Sequence, residues 1–109
     1  MAYNEQHAKL LRKSVASFGE ITEKKMFGGL CFLLNGNMLC GVHQGGGMAR
    51  VGKESEVAAL ELDGVTPLSF TGRKMGGMVD LSAAAIEDTR IRKAVLKLAR
   101  EFVGGLPAK

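Results

Sequence analysis

Residues 23–42 read Glu23-Lys24-Lys25-Met26-Phe27-Gly28-Gly29-Leu30-Cys31-Phe32-Leu33-Leu34-Asn35-Gly36-Asn37-Met38-Leu39-Cys40-Gly41-Val42. Two apolar runs flank Asn35-Gly36. Asn-Gly is the strongest short hairpin signal, because both central positions of a type I′ turn need positive φ. The stretch predicts strands over 30–34 and 37–42. An earlier strand over 22–27 is broken from them at Gly28-Gly29 by a bulge or a sharp turn. Leu30, Phe32 and Leu34 are expected on one face of the hairpin. Cys31 and Leu33 fall on the other face with Met38 and Val42. Both faces are apolar, whereas a small two-layer domain usually leaves one sheet face wet. Either helices cover both faces, or a second subunit covers one, and a symmetric homodimer is the expectation.

A two-residue loop sets Leu34 opposite Asn37 and Leu33 opposite Met38, and continues to Cys31 opposite Cys40. That pair would occupy a non-hydrogen-bonded position, where Cα atoms approach to ~4.5 Å, near the short end of disulfide geometry. A disulfide or redox-sensing pair is one reading of Cys31 and Cys40. Two reduced thiols acting as small apolar side chains is the other, and a reducing compartment favours it. A three-residue loop would shift the register and remove the pairing.

Outward from the hairpin, Ala8, Leu11, Val15 and Phe18 recur at helical spacing, with Asn4 placed to cap and Gly19 to stop the helix. Gln44-Gly45-Gly46-Gly47 marks a turn before a short strand over 48–51. Residues 53–60 read as a short helix with Val57 and Leu60 inward. Strands follow over 68–71 and 75–81, separated by Gly72-Arg73-Lys74. Asp88 then caps a last helix whose stripe is Ile91, Val95, Leu98 and Phe102, stopped at Gly104-Gly105. Strands joined by tight turns pair antiparallel, so the expected class is α+β, with helices packed on an antiparallel sheet.

The 109 residues suit one domain, and 46% hydrophobic content supplies a core. No apolar run approaches the ~20 residues of a membrane span. The N-terminus has no basic region leading into an apolar one. With two cysteines and no secretion signal, a cytoplasmic setting is expected. The net charge of +4 permits contact with polyanions, although a mildly basic globular protein needs no such partner.

Few residues suggest chemistry. Gly47-Met48-Ala49-Arg50-Val51-Gly52-Lys53 matches most of a phosphate-binding loop, but Glu54 stands where that motif needs Ser or Thr. Its centre also reads as a strand. His7 and His43 lie far apart, and the cysteines lack ligand spacing, so neither a metal nor a cofactor is expected. No serine sits in a Gly-x-Ser-x-Gly elbow, and no carboxylate pair stands out, which favours a non-enzyme. Arg90, Arg92, Lys93, Lys97 and Arg100 make the last helix basic. Read as a DNA-facing stripe, they lack a preceding helix-turn-helix pattern and interleaved aromatics. A solvated face is the preferred reading of all five, with DNA binding as the alternative and Arg90, Lys93, Lys97 and Arg100 as the surface candidates.

Lys24-Lys25-Met26-Phe27-Gly28-Gly29, the apolar strand, Asn35-Gly36 and residues 39–42 resemble the N-terminal domain of TfoX/Sxy proteins. Pro67-Leu68-Ser69-Phe70-Thr71-Gly72-Arg73, Met75-Gly76-Gly77-Met78-Val79 and the closing helix resemble it too. The resemblance implies an antiparallel α+β fold, dimerisation and no catalytic residues. It also implies a link to competence regulation alongside a cyclic-AMP-responsive transcription activator. Longer members carry a second, helical domain; residues 1–109 are expected to form the N-terminal-like domain alone. The expected function is therefore regulatory protein contact in transcription, with direct DNA binding or a Cys31/Cys40 switch as alternatives.

Overall fold

In the computed structural model, which describes residues 3–26, 29–70 and 73–108, Asn35 and Gly36 adopt φ of 53° and 85°. These positive angles close a tight turn between β2 (Gly29–Leu34) and β3 (Asn37–His43). β1 (Ile21–Met26) pairs with β2, and β4 (Gly46–Arg50) with β3. β6 (Arg73–Ser82) then pairs with β4, and β5 (Val65–Phe70) forms the far edge. The sheet order is β1-β2-β3-β4-β6-β5, and each neighbouring pair is antiparallel. Phe27, Gly28, Thr71 and Gly72, on which the expected strand breaks fall, lie outside the described residues. The α+β class read from the sequence holds.

Four helices complete the chain: α1 (Glu5–Val15), α2 (Lys53–Leu60), α3 (Ala83–Glu87) and α4 (Thr89–Val103). Asn4 caps α1 by accepting from the Gln6 and His7 N–H groups, and Asp88 caps α4 by accepting from Ile91. All four helices pack on one face of the sheet. Their buried residues Leu11, Ala59, Ile86 and Leu96 share a single core with Phe32, Leu39, Val42, Val79 and Leu81. The opposite face holds a separate cluster of Cys31, Met48, Leu68 and Met78, with Met38 packed beside it. This cluster is buried within one chain. Covering it therefore does not by itself require a second subunit.

The hairpin register departs from the expected one. Leu34 opposes Asn37 and Leu33 opposes Met38, as the loop length dictates, but Phe32 then opposes Cys40 and Cys31 opposes Gly41. A bulge has absorbed one residue of β3. Leu39 and Cys40 consequently both enter the helix-side core, and Val42 follows them there rather than joining Met38. The cross-strand pair Cys31–Cys40 does not form; each cysteine is free and the two belong to different clusters.

The helices also depart in orientation. α1 ends at Val15, before Gly19, which bends the following turn at φ 143°. Val57 of α2 points outward at 71% exposure, and Glu56 and Ala59 face inward instead. The reason is a backbone donor: the Gly77 N–H reaches the Glu56 carboxylate at 3.0 Å. On α4 the buried residues are Arg92, Val95, Leu96, Ala99 and Val103, while Ile91 and Leu98 are only partly buried and Phe102 is exposed. At ~100° per residue this is a turn of about 90° from the expected stripe. Arg92 leaves the solvated set, because its guanidinium donates to Ile86 O at 2.6 Å and Ser14 Oγ at 2.9 Å.

Candidate functional site

The cysteines hold the thiols the sequence offered as redox candidates. Burial pushes both thiols above their ordinary pKa, and for Cys40 the nearby Cys31 adds to the rise. A raised pKa lowers the thiolate fraction, the reactive form. The linkage follows. Above pH 9.0, the ordinary thiol value, the unfolded chain releases protons that the folded chain retains. Stability is therefore full below that pH and falls as pH rises through it. Each retained proton costs at most about 1.4 kcal/mol per pH unit. We expect urea midpoints to drop between about pH 8 and pH 10, and to drop less in a Cys31→Ala/Cys40→Ala variant. Equal drops would show that other groups carry the pH dependence.

His43 lies at the start of the β3–β4 turn, with both ring nitrogens facing oxygens. Nδ1 is 2.9 Å from Gln44 O, and Nε2 is 3.0 Å from Gly47 O and 2.6 Å from Asp80 Oδ1. The ring thereby ties the turn to β6. His7 is engaged through one nitrogen only, with Nε2 2.8 Å from Glu87 Oε2. Both histidines are locally bonded. No group of three or more His, Cys, Asp or Glu residues suited to a metal occurs among the described residues.

A cleft of about 710 Å³ lies where the start of α2, the Gly76-Gly77 stretch of β6 and the end of α4 meet. It forms because the chain crosses itself closely. The N–H groups of Val51 and Gly52 both donate to Gly77 O, at 2.9 and 3.0 Å. Gly52 has φ 84°, and a Cβ there would strike the Phe102 ring. The phosphate-loop look-alike resolves here into the end of β4, this glycine and the opening of α2. Phe102 and Leu106 give the cleft an apolar wall, and Arg50, Lys53, Glu54 and Glu101 line it with charges of both signs. The Arg50 guanidinium stands 5.5 Å from the Phe102 ring centroid. Volumes of this size lie within the range of ligand sites. Sequence patterns gave no sign of this cleft, since its walls come from three distant segments.

The sequence-derived cations Arg90, Lys93, Lys97 and Arg100 are all exposed on α4. Lys93, Lys97 and Arg100 line a groove against Ser14, Ser17 and Phe18 at the end of α1. None of these cations touches the cleft. The cysteines, the cleft and the basic row are thus three separate places.

A six-stranded antiparallel sheet with helices on one face, bearing a cleft and a basic row, defines a small α+β domain with two candidate contact surfaces. The family model of the TfoX N-terminal domain matches residues 13–103, from within α1 to the last residue of α4, and the chain belongs to this family. No curated protein and no solved structure matches the chain.

Proposed function

We propose that this chain is a non-catalytic regulatory domain that works by protein contact in transcription, and that the cleft is its contact surface. One observation carries the reading: among the described residues, the exposed large apolar side chains are Val57 and Phe102, Phe102 lines the cleft, and Val57 lies on the second helix that meets there. An exposed aromatic beside an arginine is the composition of an interface anchor. The groups with nucleophilic character point the other way. Cys31 and Cys40 are buried, and burial raises their pKa.

Membership of the TfoX N-terminal domain family supports a role beside a cyclic-AMP-responsive transcription activator. The test uses that activator, purified, with its promoter DNA. Wild-type chain should co-sediment with it, and Phe102→Ser combined with Val57→Glu should weaken the complex at least about tenfold, as expected for loss of an anchor. Sedimentation of the activator unchanged by wild-type chain would sink the proposal. Unchanged binding by the variant would move the contact away from the cleft.

A further inference from the structure

We propose that the surface where α4 runs beside the C-terminal end of α1 binds the phosphate backbone of nucleic acid, without reading base sequence. Lys93, Lys97 and Arg100 occur at i, i+4 and i+7, so they form one row. They line one wall of a groove of about 250 Å³, and Ser14, Ser17 and Phe18 line the other. Arg90, one turn earlier, extends the row to about 15 Å at ~1.5 Å per residue.

The charge of this row is uncompensated. No carboxylate lines the groove. Among the described residues, none of the four cations has an ion-pair partner. Of the acids nearest in sequence, Glu87 is bonded to His7 and Asp88 caps α4, while Glu101 lines the separate cleft and makes no ion pair with the row. The inward turn of Arg92 helps to leave the four as a single outward row.

The groove also favours backbone over base contact. The Arg100 guanidinium sits 5.0 Å from the Phe18 ring centroid. This stacking orders Arg100 before binding, which lowers the cost of association. It also occupies the one aromatic ring of the groove, leaving no platform for a base. Exposed Ser17 adds a hydroxyl of the kind that donates to phosphate oxygens.

A straight row of evenly spaced cations suits a partner with evenly spaced anions. Duplex DNA carries one charge per ~1.7 Å of axis. An acidic protein would need an apolar anchor here. The groove's aliphatic residue, Leu96, is buried, and the ring of Phe18 is already covered. A membrane surface would need exposed apolar side chains among the cations, and the row has none. The proposal is independent of the protein contact above, because groove and cleft share no residue.

The test is fluorescence anisotropy of a labelled duplex of arbitrary sequence, titrated with the full chain. Four neutralised phosphates predict a slope of log affinity against log salt near −3.6, or about 150-fold weaker binding at 200 mM than at 50 mM. Lys93→Gln/Lys97→Gln/Arg100→Gln should weaken binding at low salt at least about tenfold, and lower the slope by about one per charge removed. Lys97→Gln alone should lower it by about one, which keeps the test open if the triple variant misfolds. Lys24→Gln/Lys25→Gln, on β1, removes two charges elsewhere and should leave affinity within about twofold. Absence of binding at low salt would overturn the proposal. So would equal losses in the two multiple variants, or a stronger response to polyglutamate or anionic vesicles than to the duplex.

Discussion

Replacing Gly46 with alanine is expected to remove a large share of the stability of this domain. Gly46 opens β4, paired with His43 of β3 on one side and Ser82 of β6 on the other. It is buried, and an added Cβ would land on the carbonyl oxygen of Leu81. That oxygen belongs to the backbone of β6, so no side-chain rotation can relieve the clash. The β4–β6 ladder, which runs from Gly46–Ser82 to Arg50–Met78, fixes the spacing of the two strands. The strands must part, and ladder hydrogen bonds are lost with them. Overpacking against movable side chains costs ~1–3 kcal/mol, and against fixed backbone we expect about 3 kcal/mol or more. A domain of this size has only ~5–15 kcal/mol in total. Gly45→Ala is the matched control. Gly45 has φ 96° but open space around its Cα, so only local strain of about 1 kcal/mol applies. Urea denaturation of the two variants decides the point. If Gly46→Ala falls within about 1 kcal/mol of Gly45→Ala, the close approach of β4 to β6 is wrong.

The hairpin shows how far local sequence reaches. Asn35-Gly36 was legible because the turn needs two positive φ values and few residues supply them. The bulge two residues later was not. Register is read from which residues must face the core, and here Leu33, Leu39, Cys40 and Val42 are acceptable on either face. A sheet with helices on one side and a dry cluster on the other gives no polar alternation to fix the count. The misplacement of Cys40 and Val42, and with it the expected Cys31–Cys40 pairing, follows from that single ambiguity. Helix α3 illustrates a different limit. Ser82 caps it by accepting from Ala85 at 3.1 Å, but five residues are too few to carry a stripe. In α2 the inward face is set by the Gly77 N–H reaching Glu56, a contact between residues 21 apart. Apolar spacing within a short helix cannot anticipate it.

The candidate surfaces divide along the same line. The basic row was visible in the sequence because Arg90, Lys93, Lys97 and Arg100 belong to one helix and follow its period. What the sequence could not supply was the neighbour: the turn after α1 contributes Ser17 and Phe18 from more than seventy residues away, and Phe18 orders Arg100. The cleft was invisible for the stronger reason that its walls come from three segments distant in sequence. Gly52, Gly76 and Gly77 meet there through backbone approach, which leaves no mark on hydrophobic pattern.

Substituting Arg92 is expected to have the second-largest effect, and it tests what turns α4. Its side chain is buried at 7% exposure, with Nη1 donating to Ile86 O at 2.6 Å and Nε to Ser14 Oγ at 2.9 Å. The carbonyl lies in the last turn of α3, where a cation is favourable. One guanidinium thus joins α1, α3 and α4. Arg92→Ala removes both bonds, leaves Ile86 O without this partner and opens a void under α4. Charge-assisted bonds are worth ~1.5–3 kcal/mol, and an orphaned buried acceptor costs ~1–3 kcal/mol. Because these overlap, about 3 kcal/mol is expected in all. That corresponds to a melting temperature lower by roughly 10–20 °C. Arg92→Lys keeps the charge but not the planar fork, so it should fall between Arg92→Ala and wild type. Ser14→Ala removes one partner alone and should cost about 1 kcal/mol. Arg92→Ala and Ser14→Ala share an interaction, so their combined loss should be less than the sum of the two. Arg92→Met decides the cause. It fills the aliphatic volume without the bonds, and a buried charge can be exchanged for a hydrophobe at little cost when its bonds add little net stability. If Arg92→Met matches wild type, apolar packing by Val95, Leu96, Ala99 and Val103 sets the rotation of α4, and the guanidinium merely follows. If it loses most of what Arg92→Ala loses, the bonds to α1 and α3 hold the helix in the orientation that leaves Arg90, Lys93, Lys97 and Arg100 facing solvent as one row.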